Sequence, residues 1–161
     1  VVASCLVHDL HRVMSNEQKR YVSPGESLER IEEILRDVGL SYEQIEKVVF
    51  AVFHHEDKFL KEELSVEAEI LQDADALDAL GEQGLKRALK FGKAKNLPVC
   101  KKDLPLLSSE FVPDINPIST VHYVFRVMIM QAENLFSKTA KKLAKSQVSI
   151  LEDFVLKHMN N

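Results

Sequence analysis

The chain has 161 residues, 45% of them hydrophobic and 29% charged, with a formal net charge of −4. That length can bury roughly 70% of the unfolded surface in one domain, and the acidic balance supplies no basic field for a nucleic-acid polymer. No apolar run reaches the roughly 18 residues of a membrane span and no secretory signal opens the chain, so a cytoplasmic protein without a membrane partner is expected. Two cysteines, Cys5 and Cys100, make no disulfide framework and are expected to be buried as small apolar residues in a reducing compartment. The sequence starts at Val1 inside an apolar run, as if an N-terminal helix were missing from it.

The periodicity is helical nearly throughout. Val2, Leu6 and Leu10 form a first stripe, with Ala3 and Val7 beside it, and His8 and Asp9 fall near the end of that helix. Arg12 to Tyr21 has no strong stripe and is expected to be loop-like. Ser23-Pro24-Gly25-Glu26 combines a capping box with an early proline and opens a second helix. Its apolar face is Leu28, Ile31, Ile34, Leu35 and Val38, and Gly39 ends it. Ser41 and Gln44 make another capping box, followed by Ile45, Val48, Val49 and Val52, with His55 three residues further along the same face. Ser65 is placed to cap a fourth helix, with Glu67 and Glu69 at its positive end and Ile70, Leu71, Ala74 and Leu77 along it. A fifth helix, near Gln83 to Gly92, turns Leu85, Ala88 and Leu89 inward. Residues 96–117 hold four of the five prolines and form the one long irregular stretch, a length that marks either function or disorder. Helices near Ser119 to Leu135 and Ser137 to His158 complete the chain, the last with Leu143, Val148, Leu151 and Val155 at helical spacing. The expected fold is all-α, a single helical bundle over 1–161 with one long irregular loop.

Against this apolar pattern a few polar residues stand out. His8 and Asp9 lie on a mostly apolar helix, where burial is costly without partners. His54 and His55 close a helix at its negative pole. His55 continues the apolar face and is the inward candidate, and His54 is its neighbour. Asp73, Asp75 and Asp78 lie among Ile70, Leu71, Ala74, Ala76, Leu77 and Leu80. A helix so apolar all round is central, so at least one of these carboxylates must be paired or ligate a metal. Periodicity slightly favours Asp78. Imidazole nitrogen and carboxylate oxygen are what a divalent transition metal takes from a protein.

The order His-Asp, His, Asp resembles that of the HD-domain metal-dependent phosphohydrolases. CLVHDL at 5–10, AVFHHED at 51–57, ILQDADALDALGEQGLKRAL at 70–89 and STVHYVFRVM at 119–128 look like blocks of one branch of that superfamily, the small bacterial-type HD hydrolases. The third block is the most specific. The resemblance implies an all-helical HD-like bundle in which His8 and Asp9 ligate a metal, Asp75 supplies the late carboxylate and His55 lines the site. It also implies a first ligand histidine on a helix upstream of residue 1. Leu10-His11-Arg12 follows His-Asp where some HD enzymes have a glutamate, and Val49-Phe50 stands where relatives often have a histidine pair. The catalytic acid or water-positioning group is therefore open among His11, His54 and Asp78.

A divalent metal held by such groups lowers the pKa of bound water and neutralises charge on a phosphoryl oxygen. Phosphate hydrolysis further needs cations around the phosphates and an acid for the leaving group. Lys19, Arg20 and Arg126 are the candidate cations, and His122 joins them as a candidate substrate contact. Mixed nitrogen and oxygen ligation suits Mn, Fe, Co, Ni or Zn better than Ca, with Mn or Mg as working ions. The expected activity is metal-dependent hydrolysis of a nucleotide or other small phosphorylated metabolite, with a homodimer left open. The alternatives are an HD fold that binds a nucleotide without turnover, and a di-iron HD oxygenase.

Overall fold

The computed structural model describes residues 1–56, 63–113 and 115–160. Their regular structure is helical, and the only strand-like feature among the described residues is an isolated antiparallel bridge between Val112 and Asn116. The all-α expectation is met. No helix among the described residues is long and apolar enough to cross a membrane.

The chain packs as two compact units, 1–74 and 75–161, divided within one helix after Ala74. In the first unit α1 (Val2–Val7) and α2 (Leu10–Gln18) meet at a break, and a 3-10 turn (Gly25–Ser27) leads into α3 (Leu28–Asp37), α4 (Tyr42–Phe53) and the start of α5 (Val66–Asp78). Its core is Ile31, Leu35, Ile45, Val48, Ala51, Val52, Ala68 and Leu71, with Ala3, Val7 and Leu10 packed against it. α4 is the centre of this unit, with α3 and α1 both packed on it.

Local chemistry explains where the helices begin and end. Ser41 accepts from the Gln44 backbone N–H while the Gln44 side chain accepts from the Ser41 N–H, so the predicted capping box is formed and two orphan donors are satisfied. Gly39, at φ +84°, ends α3 in a Schellman motif: its N–H bonds Arg36 O at 2.9 Å and Leu40 N–H bonds Leu35 O at 3.0 Å. The Ser23–Glu26 box also forms, but it caps the 3-10 turn, and α3 itself starts only at Leu28. Ser65 caps α5 through the Ala68 N–H.

The second unit comprises the end of α5, α6 (Gly81–Ala94), a segment that runs from α7 (Thr120–Tyr123) through a π-helical stretch (Val124–Ile129) into α8 (Met130–Glu133), and α9 (Lys138–Asn160). Its core joins Ala76, Leu80, Ala88, Val121, Val124, Met128, Ile129, Leu135, Ala140, Ala144, Leu151 and Val155. Gly92 lets α6 approach α7 closely, since a Cβ there would lie 2.2 Å from Thr120 Oγ1. The proline-rich stretch before α7 is tied down. Thr120 N–H bonds Pro98 O, Val121 N–H bonds Val99 O, and Arg126 reaches back to Ser108 O at 3.2 Å with its guanidinium 5.1 Å from the Phe111 ring.

Four sequence expectations need correction. Arg12 to Tyr21 is not a loop: α2 runs to Gln18, with Ser15 Oγ bonded to His11 O at 2.7 Å and accepting from Val22 N–H at 2.9 Å. Val2 and Leu6 point outward, 76% and 82% exposed, so α1 packs through Ala3, Ser4 and Val7 instead. Cys5 is exposed and Cys100 only half-buried, its thiol 3.6 Å from the Met159 sulfur. On the longer helices Val38, Ile70, Leu89 and Leu143 are exposed. On α9 the buried row runs through the small residues Ala140 and Ala144 to Leu151 and Val155.

Candidate metal centre

The break between α1 and α2 builds one side of the site. His8 is the last residue of the α1 turn, its N–H bonded to Ser4 O. Asp9, at φ −91° and ψ 12°, leaves the helical region and precedes α2 as its N-cap. The other side is the end of α4. His54 caps that helix, and His55 N–H makes a long i→i−3 bond to Val52 O at 3.4 Å. Because α1 packs on α4, the two ends meet. The His8 and His55 rings stand edge to face with centroids 5.3 Å apart, and the His11 ring is 5.7 Å from His55.

Donor atoms of Asp9, His11 and His55 all lie within 4.8 Å of one another. His11 and His55 are buried. His8 is beside them, with Nε2 3.7 Å from Asp9 Oδ2. The backbone fixes the chemistry of all three imidazoles. Nδ1 bonds a carbonyl in each: Cys5 O at 2.8 Å for His8, His8 O at 3.1 Å for His11, and Val52 O at 2.6 Å for His55. A carbonyl only accepts, so Nδ1 donates, and in the neutral ring the lone pair that a metal needs is on Nε2. Two buried imidazoles of this tautomer and a carboxylate are a fitting donor set for a divalent transition metal.

Two residues with no role assigned from the sequence border this group. Arg12 donates from Nε to Asp9 Oδ1 at 2.6 Å and from Nη2 to Glu56 Oε1 at 3.1 Å. Glu56 Oε1 lies 3.5 Å from His11 Nε2 and 4.0 Å from His55 Nε2. The only sequence signals were their positions, Arg12 one turn after Asp9 and Glu56 directly after His55.

The other singled-out residues have distinct surroundings. His54 packs between Phe50 and Phe53, its carbonyl accepting from Gln72 Nε2 at 2.8 Å. Along α5, Asp73 is buried and Asp75 half-buried. Asp78, which periodicity favoured, is exposed and paired with Arg87 at 2.9 Å. Lys19 ends α2 in the left-handed region and is exposed. Arg20 pairs with Glu26 at 2.8 Å and also bonds Tyr21 O. His122 is fully buried, its Nδ1 2.7 Å from Ser119 Oγ, and its Nε2 has no hydrogen-bond partner among the described residues. Arg126 holds the Ser108 carbonyl and the Phe111 face.

Residues 1–80 match the HD domain family. The uncharacterised protein YpgQ of Bacillus subtilis is 34% identical over 99 residues, which are 59% of this chain and 46% of YpgQ. The matched part thus spans about half of that relative. Among solved structures, an HD-superfamily hydrolase from Bacillus thuringiensis superposes with a TM-score of 0.68 at 20% identity, covering 98% of this chain and 70% of the other. YpgQ in complex with ADP superposes with a TM-score of 0.63 at 18% identity, covering 99% of this chain and 84% of that one. At such identities the structural likeness is one of fold.

Proposed function

We propose that this chain, which belongs to the HD-domain superfamily, works as a metal-dependent phosphohydrolase on a nucleotide or another small phosphorylated metabolite. The observation that carries this reading is the convergence of Asp9, His11 and His55, with Nδ1 of both imidazoles bonded to a backbone carbonyl. These three residues would hold the metal, with His8 against them. When bound, the ion supplies an acidified water and charge neutralisation at a phosphoryl oxygen. The chain's own groups do the rest. The carbonyls of His8 and Val52 fix the tautomers of His11 and His55. Burial of both imidazoles keeps water from competing for their nitrogens. Asp9 is half-exposed, so its carboxylate is within reach of solvent and of an arriving substrate. ADP bound to YpgQ supports a phosphorylated ligand of nucleotide size.

The test is phosphate release from a panel of nucleotides and sugar phosphates with added Mn²⁺, comparing the native chain with Asp9→Ala. Metal-dependent turnover that Asp9→Ala loses supports the hydrolase. Tight nucleotide binding with no turnover on any substrate favours a binding module instead, and near-normal turnover in Asp9→Ala removes Asp9 from the site.

A further inference from the structure

One guanidinium holds two carboxylates that border the imidazole group. Arg12 bonds Asp9 at 2.6 Å and Glu56 at 3.1 Å, and Glu56 Oε1 in turn lies within 4.0 Å of Nε2 of both His11 and His55. Exposure grades across the cluster: the side chains of His55 and His11 are 1% and 4% exposed, those of Glu56 and Asp9 37% and 47%, and that of Arg12 60%. The imidazoles form the floor and Arg12 lies on the solvent side. Asp9, Glu56 and Arg12 together carry a formal net charge of −1.

We propose that Glu56 is a further donor of this metal centre and that Arg12 is its resident counter-ion, displaced when a divalent cation takes the two carboxylates and then free to bind a phosphate oxygen of the anionic ligand. The inference rests on the metal reading of Asp9, His11 and His55. Its chemistry is direct. A divalent ion neutralises two carboxylates fully where a guanidinium neutralises one, and Arg12 and the ion compete for the same oxygens. The guanidinium fork suits a phosphate as well as a carboxylate, through parallel N–H donors. Exchange of Arg12 from carboxylate to phosphate therefore couples the two ligands. By linkage, phosphate tightens metal binding as much as metal tightens phosphate binding.

The experiment measures Mn²⁺ affinity of the whole chain by the electron paramagnetic resonance of free Mn²⁺, in the absence of phosphate. The native protein is compared with Arg12→Gln, Arg12→Lys, Glu56→Gln and, as a charge control on the same unit, Arg30→Gln, which breaks the surface pair with Glu33. Circular dichroism establishes that each variant is folded. Arg12→Gln should bind Mn²⁺ about 2–10-fold more tightly, the worth of two exposed ion pairs, and Arg30→Gln less than about 2-fold more tightly. Glu56→Gln should bind about 10-fold more weakly. With Mn²⁺ saturating, inorganic phosphate should bind Arg12→Gln about 10-fold more weakly than the native chain, with Arg12→Lys between them. Arg12→Gln with unchanged or weaker Mn²⁺ affinity, or no different from Arg30→Gln, overturns the counter-ion role, and full affinity in Glu56→Gln overturns the donor role. If neither the native chain nor Arg12→Gln binds Mn²⁺, the metal reading itself fails and this inference with it. Binding by the native chain without a gain in Arg12→Gln leaves the metal reading standing alone.

Discussion

A buried imidazole needs hydrogen-bond partners, and His55 shows how a helix end can provide one. Its Nδ1 bonds Val52 O at 2.6 Å within the last turn of α4, which in the neutral ring puts the lone pair on Nε2. His55→Gln keeps a side chain of similar reach but removes that oriented lone pair. Mn²⁺ affinity should fall about 10–100-fold or more, whereas His54→Gln, whose ring packs on Phe50 and Phe53, should stay within about 2-fold. Equal effects of the two variants in a Mn²⁺ titration would remove His55 from the donor set. The ligand role that the resemblance implies for Asp75 is tested in the same titration with Asp75→Asn, where undiminished affinity would reject it. His8, Asp9 and His55 were legible because a polar group on an apolar stripe announces itself within one turn of chain. Arg12 and Glu56 were not, since their partnership spans 44 residues and exists only once α1 lies on α4. His11 was noticed as a candidate acid, but only the α1–α2 break turns it toward His55.

Among the elements, those with a cap and a wide apolar stripe were readable. α4 has both, and its capping box formed as predicted, so Ser41→Ala should lower stability by about 1 kcal/mol in urea unfolding. α2 was missed because it carries no such stripe: His11 is its one buried residue, and Ser15 ties it to Val22. Side-chain hydrogen bonds do there what apolar burial does elsewhere, and periodicity does not register them. α9 was read correctly as a helix, and Leu151 and Val155 are buried as expected, but Leu143 is exposed and the buried Ala140 and Ala144 were missed, because alanine carries little hydrophobic weight in a pattern although it sets how closely helices approach. The Ser23–Glu26 box gives a pH-dependent expectation at this scale. The Ser23 backbone N–H first, then the Arg20 side chain and the Ser23 hydroxyl, hold the Glu26 carboxyl below the usual carboxylate range. Its stabilisation is therefore fully present above the unfolded-state pKa and is lost as pH falls through the lower folded value. Glu26→Gln should be less stable than the native chain at neutral pH, and the gap should close on acidification through that window. A gap in urea midpoints that persists below the folded pKa, read from a carbon-13 titration of Glu26, would show that the box acts sterically instead.

For the molecule as a whole, the division at residue 74 gives each unit a core of its own, and the HD domain match ends at residue 80. Composition and periodicity indicated an all-helical chain, but they carry no information about where its contacts divide. A stripe says that a helix is buried and not against which partner, so α5, which contributes Leu71 to one core and Ala76 to the other, reads as one uninterrupted segment. Asp9, His11 and His55 all belong to the first unit, and this localises the effect of metal. A ligand that binds only the folded state stabilises it by about 2.7 kcal/mol at 100 times its Kd. That free energy should act on the backbone groups that order the donors: the amides of α1, the α1–α2 break and the last turn of α4. In hydrogen exchange read by mass spectrometry, adding Mn²⁺ at 100 times its Kd should slow exchange in peptides covering 2–18 and 48–56 by up to about 100-fold. EDTA should reverse the effect, and Asp9→Ala should abolish it. Protection that spares both segments, or that survives in Asp9→Ala, would mean that the metal binds elsewhere.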